Sequence, residues 1–146
     1  MPALVLIYSL IDSIAWAAAK NRNAGVRNNF EQWVTEWLLP ELSANLTATD
    51  LYAARCAVLH TLTGTSDLFS KGAAKRIIYA WGAASADILQ SAITDCSLTT
   101  NHIAIHYDDL HGSLNKAINN FFTFADSNPI LFARLEDAAQ KHYANI

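Results

Sequence analysis

An arginine and a histidine five residues apart, in Arg55-Cys56-Ala57-Val58-Leu59-His60, are the side chains with the most chemistry to offer in this sequence. A guanidinium keeps its charge and can clamp a carboxylate or a phosphoryl group. An imidazole can take up or give a proton near neutral pH. Together, and without a metal, they suit cleavage of RNA by its own 2′-hydroxyl, with His60 moving the proton and Arg55 holding the charge that develops at phosphorus. The flanking residues Leu51, Tyr52, Ala53, Ala54, Ala57, Val58 and Leu59 are apolar nearly all round, which predicts a buried helix. A buried guanidinium must find a partner, and Asp12 is the natural acid. The competing reading is structural: Arg55 only neutralises Asp12, and His60 only caps the carbonyls at the end of its helix. On a regular α-helix a separation of five leaves two side chains roughly 140° apart. That spacing predicts that Arg55 and His60 do not share a face, and that a working site needs a concave surface or a second protomer.

Other polar residues group around this pair in sequence. Tyr52, three positions before Arg55, falls on the same helical face and either orients the guanidinium, stacks a base or packs in the core. Lys71, Lys75 and Arg76 form the densest basic cluster, one loop after His60. They are placed to hold RNA phosphates beside His60, or else decorate a solvated loop. His102, His106, Asp108, Asp109 and His111 resemble a metal cluster only loosely. They lack a His-Glu-x-x-His motif and cysteines at ligand spacing, so no metal is expected there. A polar strand end followed by an acidic first helical turn accounts for them. Without a glycine-rich phosphate loop, nucleophile elbow or dinucleotide fingerprint, no cofactor is expected either.

The elements that must carry these residues read mainly as helices. The first runs from about Ala3 to Asn21, apolar apart from a seam of Ser9, Asp12, Ser13 and Lys20. Asp12 and the lack of a positive start argue against a membrane span or signal peptide. After a loop at 21–25, a second helix covers Arg27 to Leu39, with Phe30, Trp33, Val34, Trp37 and Leu38 at helical spacing and Pro40 beyond its end. The third is capped at Thr47 or Thr49, has Asp50 in its first turn, and runs through His60 toward Gly64. Residues 61–72 read as a loop. Arg76 to Trp81 and His102 to Tyr107 are short, β-branched and aromatic, so they form a minor two-stranded sheet or, alternatively, are both helical. Helices are expected over 83–93, over 108–125 with an interruption at Gly112, and from Pro129 to near Tyr143. The fold class is thus a mainly α, compact bundle of five to six helices in a single domain.

Composition sets the outer limits. Of the 146 residues, 52% are hydrophobic and only 16% charged, so either the core is large or apolar surface is covered by a partner, most simply a second copy of the chain. The four tryptophans, Trp16, Trp33, Trp37 and Trp81, belong to core or dimer surface. A net charge of −3 lacks the broad basic face of a nonspecific DNA-coating protein. Cys56 and Cys96 have no paired spacing, which fits free thiols in a reducing cytoplasm.

With its Arg-x-x-x-x-His near the end of a buried helix in a small all-α domain, the chain resembles the HEPN superfamily (higher eukaryotes and prokaryotes nucleotide-binding). The resemblance carries an expected fold, a helical domain. It also carries an expected activity: many members are metal-independent ribonucleases, often toxins or defence effectors, that dimerise to form a composite site. It implies Arg55 and His60 as catalytic residues, RNA or nucleotide as ligand, and an antitoxin as a protein partner; Asp12 and Cys56 are read from the sequence as structural support beside the pair. The residue after the arginine is often Asn, Asp or His in active members; here it is Cys56. The other reading the resemblance allows is a HEPN-like module that binds nucleotide, RNA or protein without cleaving.

Overall fold

The computed structural model describes residues 2–61 and 65–143. Helix α1 (Pro2–Ala18) buries Leu4, Ile7, Tyr8, Ile11, Ile14 and Ala15, the three-and-four spacing of one helical face. The polar seam is wider than the sequence suggests, because Leu6 and Leu10 stand in solvent beside Ser9 and Ser13. Helix α2 (Val26–Trp33) winds on without a cap into a π turn (Val34–Leu38) and a 3-10 turn (Leu39–Glu41) containing Pro40. It places Phe30, Trp33, Val34 and Leu38 in the core.

Helix α3 (Ala48–Cys56) starts at a reciprocal cap. Thr47 Oγ1 accepts the Asp50 N–H at 3.1 Å, and Asp50 Oδ2 accepts the Thr47 N–H at 2.9 Å. The other carboxylate oxygen of Asp50 accepts the Lys75 N–H at 2.6 Å, which ties the start of α3 to the chain entering the sheet. After α3 comes a five-residue π segment, Ala57–Thr61. Part of the expected loop is a single helical turn, α4 (Asp67–Ser70), because Ser66 accepts the Phe69 N–H. Gly64 lies outside the described residues.

Strands β1 (Arg76–Ala80) and β2 (His102–His106) pair in parallel, from Arg76 opposite His102 to Ala80 opposite His106. The two-stranded sheet is as expected, and its parallel sense follows from the helix between the strands, α5 (Ala86–Asp95), which makes the crossover. Helix α5 begins later than expected, with Ser85 as its cap. Helix α6 (Tyr107–Asp126) runs straight through Gly112, where no interruption occurs. A helical glycine costs only about 1 kcal/mol, and buried Leu110, Leu114, Ala117 and Phe121 hold this helix against the core. Helix α7 (Pro129–Tyr143) closes the bundle, with the Leu131 N–H on Asn128 Oδ1.

One core joins these elements. Ile77 and Ile105 of the sheet pack into the same cluster as α1, α2, α3 and α6. Within it the hydroxyls of Tyr8 and Tyr79 meet at 2.5 Å. Among the described residues no helix is long and apolar enough to cross a membrane.

Candidate functional site

The π segment after α3 decides the site's geometry. In an α-helix residues four apart are bonded neighbours; in a π turn the hydrogen bonds span five, so residues five apart come into register. Arg55 precedes this segment and His60 lies within it. Arg55 Nη1 donates to His60 Nε2 at 2.8 Å. The 140° separation expected from a regular helix is therefore wrong: the two side chains meet within one chain and need no second protomer to do so. Short π turns inside helices are often found at functional sites.

The rest of the guanidinium faces Asp12. Arg55 Nε and Nη2 both donate to Asp12 Oδ2, at 2.9 and 2.7 Å, with the two side chains 12% and 20% exposed. This is the ion pair anticipated from the seam of α1. Burial works against the charge on Arg55, but hydrogen bonds to Asp12 and its negative charge outweigh it and raise the guanidinium above its ordinary pKa. Asp12 Oδ1 is buried and has no hydrogen-bond partner among the described residues. Because Arg55 can only donate, His60 Nε2 must be the acceptor, and a neutral His60 carries its proton on Nδ1.

Aromatic and cationic groups line the space beside the pair. Tyr52 packs edge-on against Phe30, with ring centroids 5.5 Å apart, and the Arg55 guanidinium lies 5.7 Å from the Tyr52 ring. A second guanidinium, that of Arg27 from α2, also lies 5.7 Å from that ring and bonds Glu31 at 2.9 Å. Burial, then the Cys56 thiol, raises the Tyr52 hydroxyl above its usual pKa. Cys56 Sγ is 4.0 Å from Arg55 Nη1. Arg27, Tyr52, Cys56 and His60 border a cavity of about 300 Å³ that is closed on its far side by Ser66 and Asp67. On its other side, Arg55 and Asp12 border a second cavity of about 360 Å³ with Trp16 and Arg22. The Arg55–His60 contact thus stands between two concavities.

The chain matches no family model, no curated protein and no solved structure. What the site can do rests on its own geometry.

Tyr52, Cys56, Asp12, Arg55 and His60 are brought together, whereas the basic cluster expected beside them is not. Lys71 is exposed at the end of α4, and Lys75 and Arg76 line a different cavity, on the far side of Ser66. The reason is Asp50: by binding the Lys75 N–H it fixes the chain there at the opposite end of α3 from His60. Arg27 takes the place of those lysines. Sequence reasoning missed it, since with Glu31 four positions on it reads as an ordinary surface pair. The histidines of β2 and α6 serve structure: His106 accepts the Asp108 N–H at the start of α6, and His111 stacks on Tyr107. Among the described residues no three His, Cys, Asp or Glu side chains gather as a metal-ligand set.

Proposed function

We propose that the chain is a metal-independent endoribonuclease of HEPN type, with Arg55 and His60 as its catalytic pair. The observation that carries this reading is the 2.8 Å contact between Arg55 Nη1 and His60 Nε2 at the edge of a cavity that also holds Arg27 and Tyr52. In the resting site the lone pair of His60 Nε2 is occupied by Arg55. A phosphate entering the cavity competes for the Nη1 proton, and as Arg55 turns to it Nε2 is released as a base. The 2′-hydroxyl of the substrate gives its proton to His60 as its oxygen bonds to phosphorus. The bond from phosphorus to the 5′-oxygen breaks, that oxygen takes up a proton from water as it leaves, and protonated His60 gives its proton back to solvent. The products are a 2′,3′-cyclic phosphate and a 5′-hydroxyl. Asp12 anchors Arg55 from behind, so the guanidinium pivots without leaving the site. A toxin or defence role, an antitoxin partner and a cytoplasmic setting belong to this proposal. So does a homodimer, supported by the apolar side chains of Leu6, Leu10, Phe122 and Phe132 that stand exposed.

The second reading, a HEPN-like module that binds RNA, nucleotide or protein without cutting, is favoured by one observation. Three guanidinium nitrogens of Arg55 are already bonded within the chain, to Asp12, His60 and the Cys56 thiol, which leaves the fork little freedom to take a phosphate. One assay separates the two. Purified protein incubated with several RNAs in EDTA is expected to leave cyclic phosphate ends, and His60→Ala is expected to stop the cutting. Identical behaviour of wild type and His60→Ala removes the ribonuclease reading.

A further inference from the structure

A second concave region, away from Arg55 and His60, combines a rigid aromatic shelf with a cation that has no partner among the described residues. Trp81 follows β1 directly and is 40% exposed. Its ring stacks on Tyr107 at 4.5 Å and 13°, and Tyr107 stacks in turn on His111 at 5.9 Å and 4°. Tyr107 covers one face of the indole and Tyr79 lies tilted against it at 6.5 Å, yet 40% of the residue is still exposed.

The turn that carries Trp81 is pinned. His106 Nδ1 accepts the Asp108 N–H at 3.1 Å, so the ring's proton sits on Nε2, and Nε2 donates to the Gly82 carbonyl at 3.1 Å. Gly82 itself adopts φ +57°, and the Ala84 N–H closes the turn on the Trp81 carbonyl. The shelf is therefore ordered before any ligand arrives, which removes an entropic cost of binding.

Trp81 also lines a cavity of about 330 Å³ together with Tyr79, Phe69, Lys75 and Arg76. Lys75 Nζ reaches the Asn45 carbonyl, at 3.5 Å. The Arg76 guanidinium has no hydrogen bond or ion pair among the described residues, although the residue is only partly exposed. A half-covered, uncompensated arginine favours an anion. A partly exposed, ordered indole favours a planar ring. Four residues of extended chain lie between the two, roughly 16 Å from Cα to Cα at the usual strand rise. A stacked nucleotide strand advances about 3.4 Å per nucleotide, so the span suits a short run of nucleotides rather than one.

We propose that this cavity binds a single-stranded segment of RNA, with an unpaired base stacked on Trp81 and a backbone phosphate on Arg76. The choice of RNA rests on the ribonuclease reading, whereas the shelf and the cation stand without it. Ser66 borders both this cavity and the one at His60, so the shelf and the proposed cutting site lie on either side of one residue.

The test reads binding and not cleavage. His60→Ala protein, which leaves RNA intact, is titrated against fluorescein-labelled hexaadenylate and followed by anisotropy. Adding Trp81→Ala is expected to weaken binding about tenfold or more, the range for loss of one base stack, while Trp81→Phe keeps most of the affinity. Adding Arg76→Ala is expected to lower the salt slope by about 0.7, the value for one phosphate on a single strand, and Trp81→Ala leaves that slope unchanged. Unlabelled adenosine monophosphate is expected to compete only weakly. Equal affinity in the Trp81→Ala, Arg76→Ala and parent proteins overturns the proposal, as does competition by the mononucleotide as strong as that by the hexamer. Loss of the cleavage reading alone, with these binding differences intact, leaves it standing.

Discussion

Arg55 divides its guanidinium between an acid behind it and a histidine in front. The two contacts make different demands on the side chain. Asp12 needs charge; bridging Asp12 and His60 at once needs the planar fork that lysine lacks. Arg55→Ala leaves Asp12 without its ion-pair partner. The loss of a fully buried partner costs about 3–5 kcal/mol; solvent reaches this pair, with 12% and 20% exposure, so a loss of about 2 kcal/mol is expected in urea melts. Arg55→Lys is expected to recover part of that stability and none of the RNA cleavage. Equal activity in Arg55→Lys and wild type would show that the bridge to His60 is dispensable. Tyr8 and Tyr79 present the opposite case, two neutral groups whose hydroxyls bond each other and no other group among the described residues. Tyr8→Phe strands the Tyr79 hydroxyl in the core and is expected to cost about 1–3 kcal/mol, whereas the double change to phenylalanine is expected to lie closer to wild type.

At the level of elements, α3 is held at both ends by side chains that the sequence places there. Asp50 accepts two backbone N–H groups, those of Thr47 and Lys75, and is 3% exposed. Asp50→Ala leaves both donors without partners and is expected to cost about 3 kcal/mol, against about 1 kcal/mol for Thr47→Ala, which removes one cap bond. Thermal melts of the two variants check the order. The cap was legible only as Thr47 or Thr49, with Asp50 in the first turn for the helix dipole; the reciprocal bonds that choose Thr47 were not. Helices α1, α6 and α7 and the two strands were legible, because apolar periodicity and β-branched runs report burial directly. The π turn was not. Nothing in Ala57-Val58-Leu59-His60 departs from α-helical preference, and one extra residue in a turn is set by packing rather than by local propensity. That single unseen turn is what puts His60 against Arg55. Arg27 was equally hidden, since its place over Tyr52 depends on how α2 crosses α3.

For the whole molecule, the buried tyrosines link stability to pH. Burial, and for Tyr8 its neighbour Tyr79, raises both hydroxyls above the ordinary 10.0. The folded chain therefore holds these protons more tightly than the unfolded chain. Their contribution is complete below pH 10 and falls as pH rises beyond it. Urea midpoints measured from pH 8 upward are expected to hold steady and then drop above about pH 10, and the drop is expected to flatten in the Tyr8→Phe/Tyr79→Phe double variant. The sheet that carries Tyr79 is closed by a local strand–helix–strand unit, in which α5 brings β2 back alongside β1, whereas α1 and α7 pack from opposite ends of the sequence. Trp81 and Tyr107, each one residue beyond the end of a strand, come together only when that pairing is complete, so their stack doubles as an internal gauge of strand pairing.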